Sequence, residues 1–269
     1  MSNPKTLNLS HVIPLYEAYS HNDNEQKNPL YESLSLGFNF IEVDVRLIQG
    51  ELYASHDKPK YLDKNKTLTK LYLEPLFEQF KSSEGRIFPQ SNRPISLVLD
   101  IKTDKNKTYE KIIEALQPFR KMFTYWEDNV AHSSAINIIL SGHRPIKKVM
   151  DELKRWVQID GRRNDLEKGY HIEFMPLISA KFSKVIFFQF PFFDKICSSN
   201  KNKLRKLAKT VHNEGRLLRL WKCPEKTSIW NDMLEAGVDI LNTDELQLMN
   251  KFLQNKNPFY PQLADSGMS

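Results

Sequence analysis

The chain has 269 residues, 27% of them charged, with a formal net charge of +6. That length buries enough apolar surface to fold without staples, and two cysteines, Cys197 and Cys223, are too few for a disulfide framework and read as buried free thiols. No run approaches the ~20 apolar residues of a membrane span, and the N-terminal stretch MSNPKTLNLSHVIPLYEAYS holds no apolar core of signal-peptide length.

After an N-terminal extension over residues 1–15, apolar β-branched runs alternate with amphipathic charged runs, the pattern of a parallel sheet clothed by helices. Strands are expected at 16–20, 40–46, 95–102, 136–141, 156–160, 174–179, 216–222 and 238–243. ELYASHD (51–57) follows a turn at Gln49-Gly50 and reads as a hairpin or a continuation of the second strand. Helical patterns cover 68–80, 108–119, 144–156 with Pro145 in the first turn, and 202–215, where Gly215 supplies a C-cap. Residues 160–200 look irregular, and the aromatic run KVIFFQFPFF (184–193) suits either core packing or an apolar rim that touches lipid or a partner. Eight strands with no Pro/Gly/Ser linker predict an α/β chain folded as a single (β/α)8 TIM-type barrel over 16–250, followed by a tail over 251–269.

In such a barrel, chemistry sits at the C-terminal ends of the strands. His21 follows the first expected strand, and Glu42 and Asp44, two residues apart, share one face of the second. His56 ends the short extension, Asp100 and Lys102 lie near the end of the third strand, Trp221 ends the seventh, and Asn242 and Asp244 close the eighth. Glu42, Asp44 and Asp100 offer the oxygen ligands of a hard divalent cation, Mg²⁺ first and Ca²⁺ next. A strand as apolar as ISLVLDIKT carries charge only where the charge is paired, because unpaired buried charge is costly. Asp100 and Lys102 face the same side, which suits a phosphate held between the cation and Lys102. Trp221 and Asn242 are further candidates for substrate contact; Asn22, Arg46, Asp57 and Ser141 are supporting candidates; Asp244 also reads as a helix cap.

These features resemble the phosphodiesterase barrels that include glycerophosphodiester phosphodiesterases, phosphatidylinositol phospholipase C-like proteins and sphingomyelinase D toxins. His21-Asn22, Glu42-x-Asp44, His56-Asp57 and Asp100-x-Lys102 follow in the family's order. The stretches SHND (20–23), LYLEPL (71–76), DIKT (100–103), SGHRP (141–145), RLW (219–221) and AGVDILNTDEL (236–246) are similar to the branch related to the yeast altered-inheritance-of-mitochondria protein. Four positions depart from the usual patterns. Asn22-Asp23 stands where glycerophosphodiesterases read Arg-Gly, Asp100 replaces a customary Glu, and His143 replaces the branch's usual Asn.

The resemblance implies a metal-dependent phosphoric diester hydrolase acting on a glycerophosphodiester or phospholipid-type substrate, with possible peripheral membrane contact. Two histidines with ordinary pKa near 6.5 can divide the acid and base work at neutral pH, so His21 and His56 are expected to be the proton-transfer pair. The rival expectation is a non-catalytic barrel that holds an anionic headgroup. The dispersed lysines bring no zinc-finger spacing or RNA-binding aromatic signature, so nucleic acid is not an expected partner. The chain is expected in the cytoplasm or as a mature secreted form.

Overall fold

Twelve strands organise the described residues: β1 (Leu15–Ser20), β2 (Phe38–Ile48), β3 (Glu51–Ala54), β4 (Ile95–Ile101), β5 (Tyr125–Glu127), β6 (Val130–His132), β7 (Ile136–Gly142), β8 (Lys154–Arg155), β9 (Gln158–Arg162), β10 (Leu177–Lys181), β11 (Leu217–Trp221) and β12 (Ile240–Thr243). This computed structural model describes residues 7–186 and 194–256. Eight of the strands pair in parallel in the order β1-β12-β11-β10-β9-β7-β4-β2, and pairing of β1 with β2 closes the ring. The result is the TIM-type barrel expected from the alternation of runs. Strands buried on both faces read as near-continuous apolar sequence, and β7 (INIILSG) and β4 (ISLVLDI) are of this kind.

The two faces of the sheet form two separate apolar clusters. Outward side chains such as Ile41, Leu99 and Ile138 join the large core beneath the helices. Tyr19, Phe40, Val98, Ile139, Leu177 and Ile240 pack together as the second cluster, which plugs the barrel interior.

The Gln49-Gly50 turn makes a hairpin rather than a continuation. Both residues have positive φ, 50° and 82°, the two-residue geometry that matches strand twist. β3 then runs antiparallel along β2 from Ile48↔Glu51 to Val45↔Ala54, which returns His56 to the barrel mouth.

Several expectations change. The helical pattern over 144–156 yields only a short helix, Ile146–Met150. Beyond it, Lys154–Arg155 pairs with β5, which in turn pairs with β6. Here tertiary packing overrides the local pattern: Arg155 lies 5.6 Å over the Trp126 ring and donates to Asn129 at 2.9 Å. The β5–β6 turn, Asp128-Asn129, also has positive φ at both residues. The fifth and sixth barrel strands also start later than expected, at Gln158 and Leu177, the latter just after Pro176.

Within 160–200 the chain forms a 3-10 turn at Arg163–Asp165, a one-turn helix at Phe182–Val185 and the start of a long helix, Ser198–Asn213. Of the aromatic run, Val185 and Ile186 are buried, and 187–193 lie outside the described residues. The helix Leu246–Lys256 runs past residue 250 and ties back through Asn250, which donates to the Leu36 carbonyl at 2.8 Å. Both cysteines are free, but Cys197 is exposed rather than buried and Cys223 is half-buried. Among the described residues no helix is long and apolar enough to cross a membrane.

Candidate active site

A strand alternates its side chains with period two, so residues two beyond the apolar plug also point inward. Following Tyr19, Phe40, Val98, Ile139, Leu177 and Ile240, those positions are His21, Glu42, Asp100, Ser141, Ser179 and Asn242. A further step of two gives Asp44, Lys102, Lys181 and Asp244. The inward face thus changes from apolar to ionisable toward the C-terminal ends of the strands.

Glu42, Asp44 and Asp100 converge there. Each offers an oxygen within 4.8 Å of the others, and Asp44 is 0% exposed. Register explains the meeting, since Asp44 pairs with Asp100 across β2 and β4. Lys102 Nζ stands 2.9 Å from both Asp44 Oδ1 and Asp100 Oδ2. Arg219 Nη2 donates to Glu42 Oε2 at 2.9 Å, and its guanidinium lies 3.6 Å over the Tyr19 ring. Three carboxylates therefore meet two cations, leaving one negative charge uncompensated within this group.

Burial pushes the Glu42 carboxyl above its usual range, opposed by Arg219 and reinforced by the Asp100 charge. For Lys102, burial favours the neutral amine, but hydrogen bonds and charge from Asp100 and Asp44 outweigh it and raise its pKa. The buried Asp100 Oδ1 has no hydrogen-bond partner among the described residues. An all-oxygen set with net negative charge and an orphaned carboxylate oxygen fits a hard divalent cation.

The orientation of these acids is built in. Asn24 Oδ1 accepts from the Asp44 backbone N–H at 2.8 Å. Gly142 abuts Asp100 so closely that a Cβ there would lie 1.9 Å from Asp100 Oδ1.

His21 Nδ1 is 2.8 Å from Asp244 Oδ1, which leaves Nε2 as the second ring position. Burial alone would favour the neutral ring, but the Asp244 hydrogen bond and the Glu42 and Asp244 charges raise its pKa above the ordinary histidine value. Asp244 is itself held, because its backbone N–H donates to Glu225 Oε1 at 3.0 Å and Gln26 donates to its carbonyl at 3.0 Å. The loop after His21 is pinned by the fully buried Asp23, which accepts from Ser20, Ser33, Tyr72 and the Leu30 backbone N–H. Asn22 adopts left-handed geometry, φ 46° and ψ 45°, which Asn tolerates better than most residues. His56 is half exposed. Arg46 donates to its carbonyl through Nε at 3.0 Å and Nη2 at 2.8 Å.

A cleft of about 480 Å³ gathers His21, Glu42, His56, Asp100, Lys102 and Trp221 in its wall, together with Asn22, Ser141, Arg162, Arg219 and Lys222. Asn242 is not in that wall: it is buried, and its Oδ1 accepts from Arg219 Nε at 3.1 Å. Sequence reading missed Arg219, Asn24 and the pair Asp160–Arg162. Ser141 donates to Asp160 at 2.7 Å, and Arg162 bonds both Asp160 and Ser141. Period-two spacing in QIDGR carried the signal for that pair, but a strand ended at 160 cut Arg162 away.

Comparison with known proteins places the chain beside a family, curated relatives and a solved structure. The family described as AIM6-like phosphodiesterase domain matches residues 7–160, a span that includes both histidines, all three acids and Lys102. The altered inheritance of mitochondria protein 6 homolog of Arthroderma benhamiae is 27% identical over 269 residues, covering 87% of this chain and 82% of its own. The altered inheritance of mitochondria protein 6 of Kluyveromyces lactis is 30% identical over 190 residues, covering 59% of this chain and 45% of its own. In three dimensions, a glycerophosphodiester phosphodiesterase from Parabacteroides distasonis superposes with a TM-score of 0.52 at 12% identity, covering 89% of this chain and 97% of the other.

Proposed function

Because the chain belongs to the AIM6-like phosphodiesterase domain family, we propose that it hydrolyses phosphoric diesters of the glycerophosphodiester or phospholipid type at the cleft around Glu42, Asp44 and Asp100. The observation that carries this reading is the convergence of three carboxylates, Glu42 and Asp44 buried and Asp100 partly exposed, with Glu42 and Asp100 lining one cleft beside His21 and Lys102. Glu42, Asp44 and Asp100 would hold a divalent cation, Mg²⁺ by preference and Ca²⁺ next. Such an ion supplies Lewis-acid stabilisation of negative charge on phosphoryl oxygens.

The chain's own residues do the rest. Diester cleavage needs one proton removed from the nucleophile and one delivered to the leaving oxygen. His21, oriented through Nδ1 by Asp244, presents Nε2 for one of these transfers, and His56 across the same cleft takes the other. The raised pKa of His21 keeps its ring protonated to a higher pH than an ordinary histidine. Lys102 is tethered between Asp44 and Asp100 and adds positive charge beside the phosphate. Trp221 lines the cleft and offers a flat apolar wall to the alcohol portion of the substrate. Arg219 and Asn242 act from below as positioning residues, holding Glu42 in place.

Turnover of bis-p-nitrophenyl phosphate in Mg²⁺, with an EDTA arm and a His21→Ala arm, tests the reading. Loss of general acid–base catalysis is expected to lower kcat by about 10²–10⁴-fold. Equal rates for wild type and His21→Ala would mean that the barrel binds a headgroup without turning it over.

A further inference from the structure

Beside the cleft lies a larger hollow of about 840 Å³ that shares Arg162 and Trp221 with it. Its wall carries Arg162, Arg163, Lys181, Lys184, Lys203 and Lys206, against one carboxylate, Glu167. The cations come from separate elements: the end of β9 and the turn after it, the end of β10, the one-turn helix Phe182–Val185, and one face of the helix Ser198–Asn213, where Lys203 and Lys206 are three apart. Arg162 is matched by Asp160; with it and Lys203 set aside, Arg163, Lys181, Lys184 and Lys206 still face one acid, Glu167. Gathering like charges in a concavity costs folding free energy through mutual repulsion. A flat solvated surface would not need to place them at the mouth of the reacting cleft.

We propose that this hollow is a second anion subsite, taking a phosphate monoester carried on one alcohol of the diester bound in the neighbouring cleft. The proposal rests on the reading of that cleft as the diester site. It implies a substrate with two phosphates, one in the scissile diester and one terminal. Trp221 stands between the two sites, with Lys181 Nζ 5.8 Å from its ring centre.

Glycerophosphoglycerol and glycerophosphoglycerol phosphate differ by one phosphate monoester, and calorimetric titration of both into His21→Ala protein at low salt measures the preference without turnover. About tenfold tighter binding of the phosphate-bearing ligand is expected, several weak exposed charge contacts adding together. The Lys184→Gln/Lys206→Gln double variant, changed only at exposed side chains, is expected to lose most of that preference while binding glycerophosphoglycerol as before. Equal affinities in the parent, failure to bind either ligand, or a preference that survives in the double variant would each overturn the proposal. So would equal affinities combined with phosphatidylserine-vesicle binding that the double variant loses, which would assign the basic wall to a membrane surface. Absence of glycerophosphoglycerol hydrolysis by the wild type would instead count against the catalytic reading, and it leaves the affinity ratio to be judged on its own.

Discussion

Gly142→Ala places one methyl group against the proposed metal site without replacing an ionisable residue. The added Cβ would sit 1.9 Å from Asp100 Oδ1 and 2.5 Å from the Ile101 carbonyl oxygen, where ordinary contact begins at 3.4 Å. The Asp100 carboxylate must retreat by more than an ångström, out of the cluster it forms with Glu42 and Asp44. Misplacement on that scale costs about 10²-fold in rate. The backbone adds its own cost, because φ at Gly142 is +64° and left-handed geometry costs a residue with a Cβ roughly 1–2 kcal/mol. Gly50→Ala separates the two effects, since Gly50 has φ +82° with nothing within 4 Å of the new Cβ. Both variants are expected to melt at lower temperature, but only Gly142→Ala to lose kcat/KM on bis-p-nitrophenyl phosphate by about 10²-fold. Equal kcat/KM for the two variants would refute the reasoning that links Gly142 to Asp100 and Asp100 to the chemistry.

Two further outcomes follow from the same geometry. Asp244→Asn removes the carboxylate that raises the His21 pKa and leaves the opposing effect of burial. The limb of the kcat/KM–pH profile that reports His21 then moves to lower pH, whether the ring works as acid or base, and an unmoved limb would show that His21 is not the group being read. Arg219→Met leaves Glu42 buried without its guanidinium, both side chains being 4% exposed. Losing one partner of a buried pair costs about 3–5 kcal/mol, measurable by urea denaturation, and a loss under about 1 kcal/mol would place that pair among weak surface contacts.

Much of the barrel was legible because strands covered on both faces leave a continuous apolar trace, as in Ile95–Ile101. Glu42 and Asp44 stood out for the complementary reason: charge two residues apart in an apolar strand has to face something. What stayed hidden was mostly non-local. His21 and Asp244 are 223 residues apart in the chain, and nothing in either segment announces the pairing across the closing strands β1 and β12. Arg219 sits in RLLRLW beside Arg216 and Lys222, where a surface charge and a buried one look alike in sequence. The helical pattern over 144–156 failed where Arg155 instead covers Trp126 and its strand pairs with β5. Asn242 shows how a residue at the end of a strand can lie beneath the site, supporting Arg219 rather than lining the cleft.

Crystals grown or soaked with Mn²⁺, with data collected at the metal's absorption edge, test the centre of the site most directly. The expected result is a single anomalous peak with oxygens of Glu42, Asp44 and Asp100 within ~2.0–2.6 Å. A peak elsewhere, or none at millimolar Mn²⁺ with Lys102 still bridging Asp44 and Asp100, would contradict a cation-assisted phosphodiesterase at this barrel mouth.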